Sequence, residues 1–301
     1  MTPGDRHTAT NNTVKLEEIL PVMKSVEEKA EWWRSRILEQ ERIIEEEGSG
    51  VSDSASGSFE NTEEDSEPTS TSSEKAQEDL EMNEAEMIKD LEMCYNYQSS
   101  GKDAVILLRQ LVEAVPYMET PSICLDGFVK LAGLKDKSSV YSMLAIILIV
   151  SEFEGDVPDF FEKLHDLLRP ALFEECEDEM IVLCDKSLRS ELLSLNTVRS
   201  MVKRLCWIAV RVNTVCCARV LSIVSKTLLR HKQAVVLYKD RKNTENTAEF
   251  GTYQPYLFEL DALKDHPVLG DYAKNIKSGI PIGSVSKEDI IKRVTDIISM
   301  R

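Results

Sequence analysis

The chain has 301 residues, 42% of them hydrophobic, which is enough for one or two domains with a substantial core. Its longest apolar run, Val140–Val150, has eleven residues, whereas a membrane-spanning helix needs about 20, so the sequence predicts no membrane span. The net charge of −17 is concentrated in residues 41–93, which hold eighteen acidic and three basic residues and leave the rest of the chain close to neutral.

The N-terminal residues 1–13 are polar and lack the apolar stretch of a signal peptide. We therefore expect a disordered tail and a protein that stays in the cytosol or nucleus.

Residues 14–47 are predicted to form one amphipathic helix. Between Leu16 and Ile44, apolar side chains recur three and four positions apart, which is the spacing of the a and d positions in a coiled coil. A single helix with such a stripe needs something to cover it. Three covers remain open at this point: the C-terminal part of the same chain, a second copy of the helix, or a groove on another protein.

Residues 48–78 are predicted to be a disordered acidic linker. This stretch contains only two sizeable apolar residues, Val51 and Phe59, so burial cannot offset the entropy of ordering it. Thr62 and Thr71 each have an acidic residue three positions downstream, which makes them candidate phosphorylation sites. Each phosphate would add a charge of about −1.5 to −2 and extend the linker further.

Residues 79–301 are predicted to form a compact helical domain, interrupted by an exposed loop at residues 241–256. Apolar residues recur at helical spacing throughout, and breaks fall at Thr120-Pro121, at Gly155 and at Arg169-Pro170. No alternating strand pattern of convincing length is present. The sequence therefore predicts an all-α fold.

Signatures of catalysis are missing from the sequence. It contains no G-x-S-x-G, P-loop, dinucleotide-binding or H-E-x-x-H motif, and its four histidines are scattered. The acidic run Glu174–Met180 lacks the spacing of a calcium loop, and none of the seven cysteines forms a C-x-x-C pair near histidines. We expect reduced cysteines in the core, no catalytic residues, no metal and no cofactor; that is, a protein that is not an enzyme.

The segment Val198–Lys232 is basic and has helical periodicity. It has two readings: two core helices whose exposed edges are basic, or a surface that binds an acidic protein segment or nucleic acid. Only one aromatic residue, Trp207, lies within it, so an acidic protein partner is favoured and direct nucleic-acid binding is left open. The candidate contact residues are Arg204, Arg211, Arg219, Lys226 and Arg230.

The order of these parts resembles the phosphoproteins of plant rhabdoviruses, in particular the group that replicates in the cytoplasm. The resemblance lies in the architecture: an amphipathic helix, an acidic hydroxyl-rich spacer and a helical domain with a basic surface. It implies a non-catalytic polymerase cofactor that links the large polymerase to nucleoprotein-coated RNA and chaperones RNA-free nucleoprotein. The implied locations are the host cytoplasm and the virion.

The same resemblance implies partners for two parts of the chain. The N-terminal helix around Trp32, Trp33, Ile37 and Ile44 would bind RNA-free viral nucleoprotein, and the basic helical domain would bind assembled nucleoprotein. The viral large polymerase and a homo-oligomer complete the implied partners.

A second hypothesis from a different class is a cellular α-helical adaptor or scaffold with a phosphorylatable acidic tail. An internal repeat of about 30 to 45 residues would favour this hypothesis, and the sequence contains none.

Overall fold

The computed structural model describes residues 16–49, 84–96, 102–153, 157–235 and 256–299. Within these ranges the elements are thirteen α-helices and three short 3₁₀ turns, with no strand, so the predicted all-α fold is confirmed. The chain divides into two compact units, residues 1–119 and 120–301, and the predicted helical domain of residues 79–301 runs across that division. The N-terminal tail, the acidic linker beyond Ser49 with Thr62 and Thr71, and nearly all of the predicted loop at 241–256 lie outside the described residues.

The described residues of the first unit form three α-helices. These are α1 (Leu16–Ser49), α2 (Glu84–Asn96) and α3 (Lys102–Ala114), and a 3₁₀ turn at Val115–Tyr117 follows them. Helix α3 packs against both α1 and α2. The apolar face of α1 that the sequence predicted is therefore covered by another helix of the same chain.

The core of this unit is built from one apolar stripe on each helix. Buried residues on α1 follow each other at intervals of four, three and four, as the heptad pattern predicted. The buried apolar side chains of the three helices are Val26, Ala30, Trp33, Ile37, Met87, Leu91, Cys94, Ala104, Leu107, Leu108, Leu111, Val112 and Ala114.

A polar cluster joins α1 to α2 at the edge of this core. Asp90 is 1% exposed; it accepts a hydrogen bond of 2.9 Å from Trp33 Nε1 and forms an ion pair with Lys29. Lys29 Nζ also lies 2.8 Å from Glu86 Oε1. A buried carboxylate requires such partners, because its desolvation is otherwise costly, and the cluster therefore fixes the register of α1 against α2.

The second unit contains the remaining ten helices of the described residues. In chain order these are α4 (Leu125–Ala132), α5 (Lys137–Phe153), α6 (Phe160–Leu167), α7 (Pro170–Glu175), α8 (Glu177–Ser187), α9 (Leu195–Ala209), α10 (Thr214–Arg230), α11 (Phe258–Leu263), α12 (Gly270–Ser278) and α13 (Lys287–Ser299). Short 3₁₀ turns lie at Pro121–Cys124 and Lys232–Val235.

Two helices organise this unit. Helix α5 contacts α4, α6 and α8, whereas α10 contacts α8, α9, α12 and α13. The apolar run Val140–Val150 forms most of α5, and its side chains are largely buried, as its composition predicts. Since α8 touches both organising helices, it connects the two halves of the unit.

Side-chain caps begin several of these helices. Asp136 and Ser139 exchange two hydrogen bonds, of 3.2 and 3.3 Å, at the start of α5. Asn213 Oδ1 accepts from the Cys216 amide at 2.9 Å at the start of α10. At the start of α12, a Cβ on Gly270 would lie 2.5 Å from the Lys264 carbonyl oxygen, so only glycine fits there without a backbone shift.

All seven cysteines are buried free thiols, as the sequence predicted. Burial raises the pKa of the Cys94, Cys216 and Cys217 thiols to about 12. None of the helices in the described ranges is both long and apolar enough to cross a bilayer.

Candidate functional site

The predicted basic segment Val198–Lys232 folds into α9 and α10, which pack against each other. Most of its charged side chains contact other parts of the second unit. The reading of this segment as two core helices with basic edges therefore describes most of its residues.

Arg219 on α10 connects three helices through carboxylates. Its Nη1 atom lies 2.5 Å from Glu177 Oε1 and 2.7 Å from Asp178 Oδ1, both in the first turn of α8. On α13, Lys287 Nζ lies 2.9 Å from Asp178 Oδ2. The Arg219 side chain is only 14% exposed, so most of its surface is covered by contacts within the chain.

Three other arginines of the segment donate to carbonyl groups at the C-terminal ends of helices. Arg204 Nε lies 2.8 Å from the carbonyl oxygen of Leu168 after α6, and Arg230 Nη1 lies 3.1 Å from that of Leu188 after α8. Arg211 Nη1 lies 2.8 Å from the Trp207 carbonyl oxygen in the last turn of α9. A carbonyl group at the end of a helix has no amide of that helix to donate a hydrogen bond to it. The arginines supply these hydrogen bonds and place positive charge at the negative end of the helix dipole.

Lys203 is a buried charge that was not among the residues singled out from the sequence. It is 4% exposed, and its Nζ lies 2.9 Å from Glu259 Oε2, 2.6 Å from the Tyr256 carbonyl oxygen and 4.0 Å from the centre of the Phe258 ring. Glu259 falls among apolar residues in the sequence, within "YLFELDAL", whereas Lys203 stands beside Arg204 in the basic segment. The placement of Glu259 was the available signal for a buried ion pair.

Two arginines of the segment pack against the ring of Trp207 on α9. The half-buried Trp207 ring has the Arg211 guanidinium carbon 3.8 Å and the Arg204 guanidinium carbon 4.5 Å from its centre. Lys226 lies further along, on α10, 3.6 Å from Asp185. Contact of these residues with nucleic acid or with an acidic protein segment stays a prediction.

The four N-terminal candidates separate into two pairs. Trp33 and Ile37 are buried within the first unit, so of the three covers left open for the stripe, it is a later part of the same chain that provides it. Trp32 is 40% exposed and Ile44 is 55% exposed. A partner contact at these two side chains stays a prediction.

Arg219→Gln is expected to lower the unfolding free energy of the second unit by about 1–3 kcal/mol at neutral pH, because it leaves the partly buried Glu177 without its donor. The loss should shrink in acid. Hydrogen bonds from Lys287 and then Arg219 hold the pKa of the Asp178 carboxyl below its ordinary value. Such a group contributes stability above about pH 4 and loses it as pH falls through the folded-state pKa.

Urea unfolding of the wild type and the variant at several pH values would measure this convergence. Lys292→Gln, at an exposed position of α13, provides the control and should match the wild type at every pH. A deficit of Arg219→Gln that stays constant from neutral to acid pH would contradict the role of Asp178.

Comparison with known proteins finds similarity to a different class of protein from the viral one. The sequence model of the CBF/Mak21 family matches residues 139–285, which run from α5 to the segment before α13. The nucleolar complex protein 4 homologue of Gallus gallus is 23% identical over 161 residues, covering 53% of this chain and 30% of that protein. The Homo sapiens homologue is 24% identical over 186 residues, covering 57% of this chain and 36% of that protein. The chain thus spans about a third of the length of these curated relatives.

These matches overturn the expectations that rested on the viral resemblance. The similar proteins are nucleolar complex proteins of animals, so the interpretation as a plant rhabdovirus phosphoprotein and viral polymerase cofactor is wrong. The predicted viral partners, the nucleoprotein and the large polymerase, are therefore wrong as well. Self-association through the N-terminal stripe is not supported, because that stripe is buried within the chain. The host cytoplasm and the virion are wrong as locations. The resemblance failed because an acidic tract beside amphipathic helices is a property of composition, which unrelated families share.

Proposed function

We propose that this chain is a CBF/Mak21-type helical scaffold that acts in a nucleolar complex of a eukaryotic cell, in ribosome biogenesis. The observation that carries the proposal is the family match over residues 139–285, because this range spans eight of the ten helices described in the second unit. The similar proteins of Gallus gallus and Homo sapiens, both called nucleolar complex protein 4 homologue, supply the nucleolar setting.

The side-chain contacts support a role that is exercised through surfaces. In the described ranges, no group of histidine, cysteine and carboxylate side chains is arranged to hold a metal ion. The charged residues of α9 and α10 instead bond to helix ends and to carboxylates of neighbouring helices. Such contacts give a rigid helical body, which is what a scaffold needs in order to present docking surfaces.

The proposal predicts that the chain concentrates in the nucleolus. The full chain, expressed as a fluorescent fusion in eukaryotic cells, should overlap with a nucleolar marker protein, whereas the fluorescent protein alone should not. In the organism that encodes the chain, its depletion should also raise the level of unprocessed ribosomal RNA precursors, measured by RNA blotting. A cytoplasmic distribution together with normal precursor levels would contradict the proposal.

A further inference from the structure

A groove opens on the second unit between the end of α5, the start of α6 and the loop after α8. Its volume is about 710 Å³, and the apolar side chains that line it are Ile147, Val150, Val157, Phe160, Phe161 and Leu193. All of these residues lie within the range that matches the CBF/Mak21 family. The size falls in the range of pockets that enclose a ligand or several side chains of a partner.

Apolar surface is left exposed in and beside this groove. Phe160 and Phe161 are only half-buried and meet edge to face, with ring centres 5.2 Å apart. Leu192, next to the lining residue Leu193, is 95% exposed. Half-exposed aromatic rings in the lining of an apolar groove mark an interaction site more often than an isolated exposed leucine does, because their contact with water is unfavourable.

Two residues of the lining have unusual local features. The Ser187 hydroxyl is buried and has no hydrogen-bond partner among the described residues. Asp159 has φ of 60°, a left-handed conformation that is uncommon outside glycine.

The charges around the groove restrict the class of occupant. The wall from α6 carries Asp159 and Glu162, and the wall from α8 and its following loop carries Lys186 and Arg189. Arg189 already lies 3.2 Å from Asp185. The two acidic and two basic side chains cancel, so the lining has no net positive charge to attract a polyanion such as RNA. Negative charge on one element and positive charge on another can complement the two ends of a helix dipole.

We infer that this groove binds the apolar face of an amphipathic helix from a partner protein. The helix places apolar residues with i, i+3 or i+4, and i+7 spacing against the two phenylalanines and Leu192. Its N-terminal end lies toward Asp159 and Glu162, and its C-terminal end lies toward Lys186 and Arg189. The inference deepens the proposed scaffold function and rests on it for the existence of a partner.

Photo-crosslinking in cells tests the inference with the full chain. The substitution Leu192→p-benzoylphenylalanine puts a reactive side chain beside the groove, and the same substitution at exposed Lys274 on α12 is the matched control. Mass spectrometry should identify, from the Leu192 probe alone, a peptide of another protein with helical apolar spacing. Crosslinks only to RNA, to another copy of this chain or to the same peptides as the control, or no crosslink at all, would overturn the inference.

Binding of the identified peptide then measures the contribution of the groove. We expect Leu192→Asp to weaken the affinity of the synthetic peptide for the full chain about tenfold to hundredfold in fluorescence anisotropy, and Lys274→Glu to leave it unchanged. The unfolding midpoint of Leu192→Asp should match that of the wild type, because this side chain is exposed. An unchanged affinity would overturn the inference.

The two proposals can fail separately. A nucleolar chain whose groove binds no helix removes the inference and keeps the proposed function. A cytoplasmic chain whose groove does bind a helix removes the proposed function and keeps the groove as a helix-binding site.

Discussion

Lys203→Met is expected to lower the free energy of unfolding of the second unit by about 3–5 kcal/mol. The substitution leaves the Glu259 carboxylate, which is 1% exposed, without the ammonium group that lies 2.9 Å away. A buried charge that has lost its partner carries the full cost of its desolvation. Urea unfolding followed by circular dichroism would measure the loss.

The double variant Lys203→Met with Glu259→Leu is the sharper control for this prediction. It removes both charges, so most of the lost stability should return, although the Tyr256 carbonyl oxygen still loses its donor. Lys274→Met, at an exposed position of α12, should change stability by no more than about 0.5 kcal/mol. If the single and double variants lose the same stability, the two charges are not coupled as the structure indicates.

Trp33→Ala is expected to destabilise the first unit by about 3–5 kcal/mol. The side chain is fully buried between the helices of that unit, so its removal leaves a large cavity and takes the indole donor from Asp90. Hydrogen exchange of peptides from α2 and α3 should become faster, because these helices lose the surface against which α1 packs.

The neighbouring tryptophan supplies a matched control. Trp32 is 40% exposed, and Trp32→Ala should change the same exchange rates by the equivalent of no more than about 1 kcal/mol. If Trp33→Ala altered the association state and left exchange in α3 unchanged, the stripe would be an interface and its burial within one chain would be incorrect.

Helical periodicity identified the apolar face of α1 but not what covers it. The recurrence of Val26, Ala30, Trp33 and Ile37 fixes which side of the helix is apolar, and the structure buries all four. Their cover comes from α2 and α3, which begin at Glu84 and Lys102. A period carries no information about such distant contacts, so the self-associating helix and the folded unit predict the same pattern.

The basic segment shows a different limit of sequence reasoning. Its positive charges were counted correctly, yet a count cannot distinguish an arginine in solvent from one that donates to a carbonyl. Arg204 and Arg230 bond to Leu168 and Leu188, which lie 36 and 42 positions away in the sequence. Because every backbone carbonyl is an acceptor, nothing in the residue types marks these two as the partners.

The buried thiols are distributed over several helices, so their reactivity reports the local opening of those helices. Cysteines lie in α2, α8, α9 and α10, and burial raises the pKa of their thiols, so they stay protonated at neutral pH. A thiolate-selective reagent reacts only when a helix opens and its thiol meets water. The order in which the cysteines are alkylated under native conditions therefore ranks the helices by their local opening free energy, without any labelled variant.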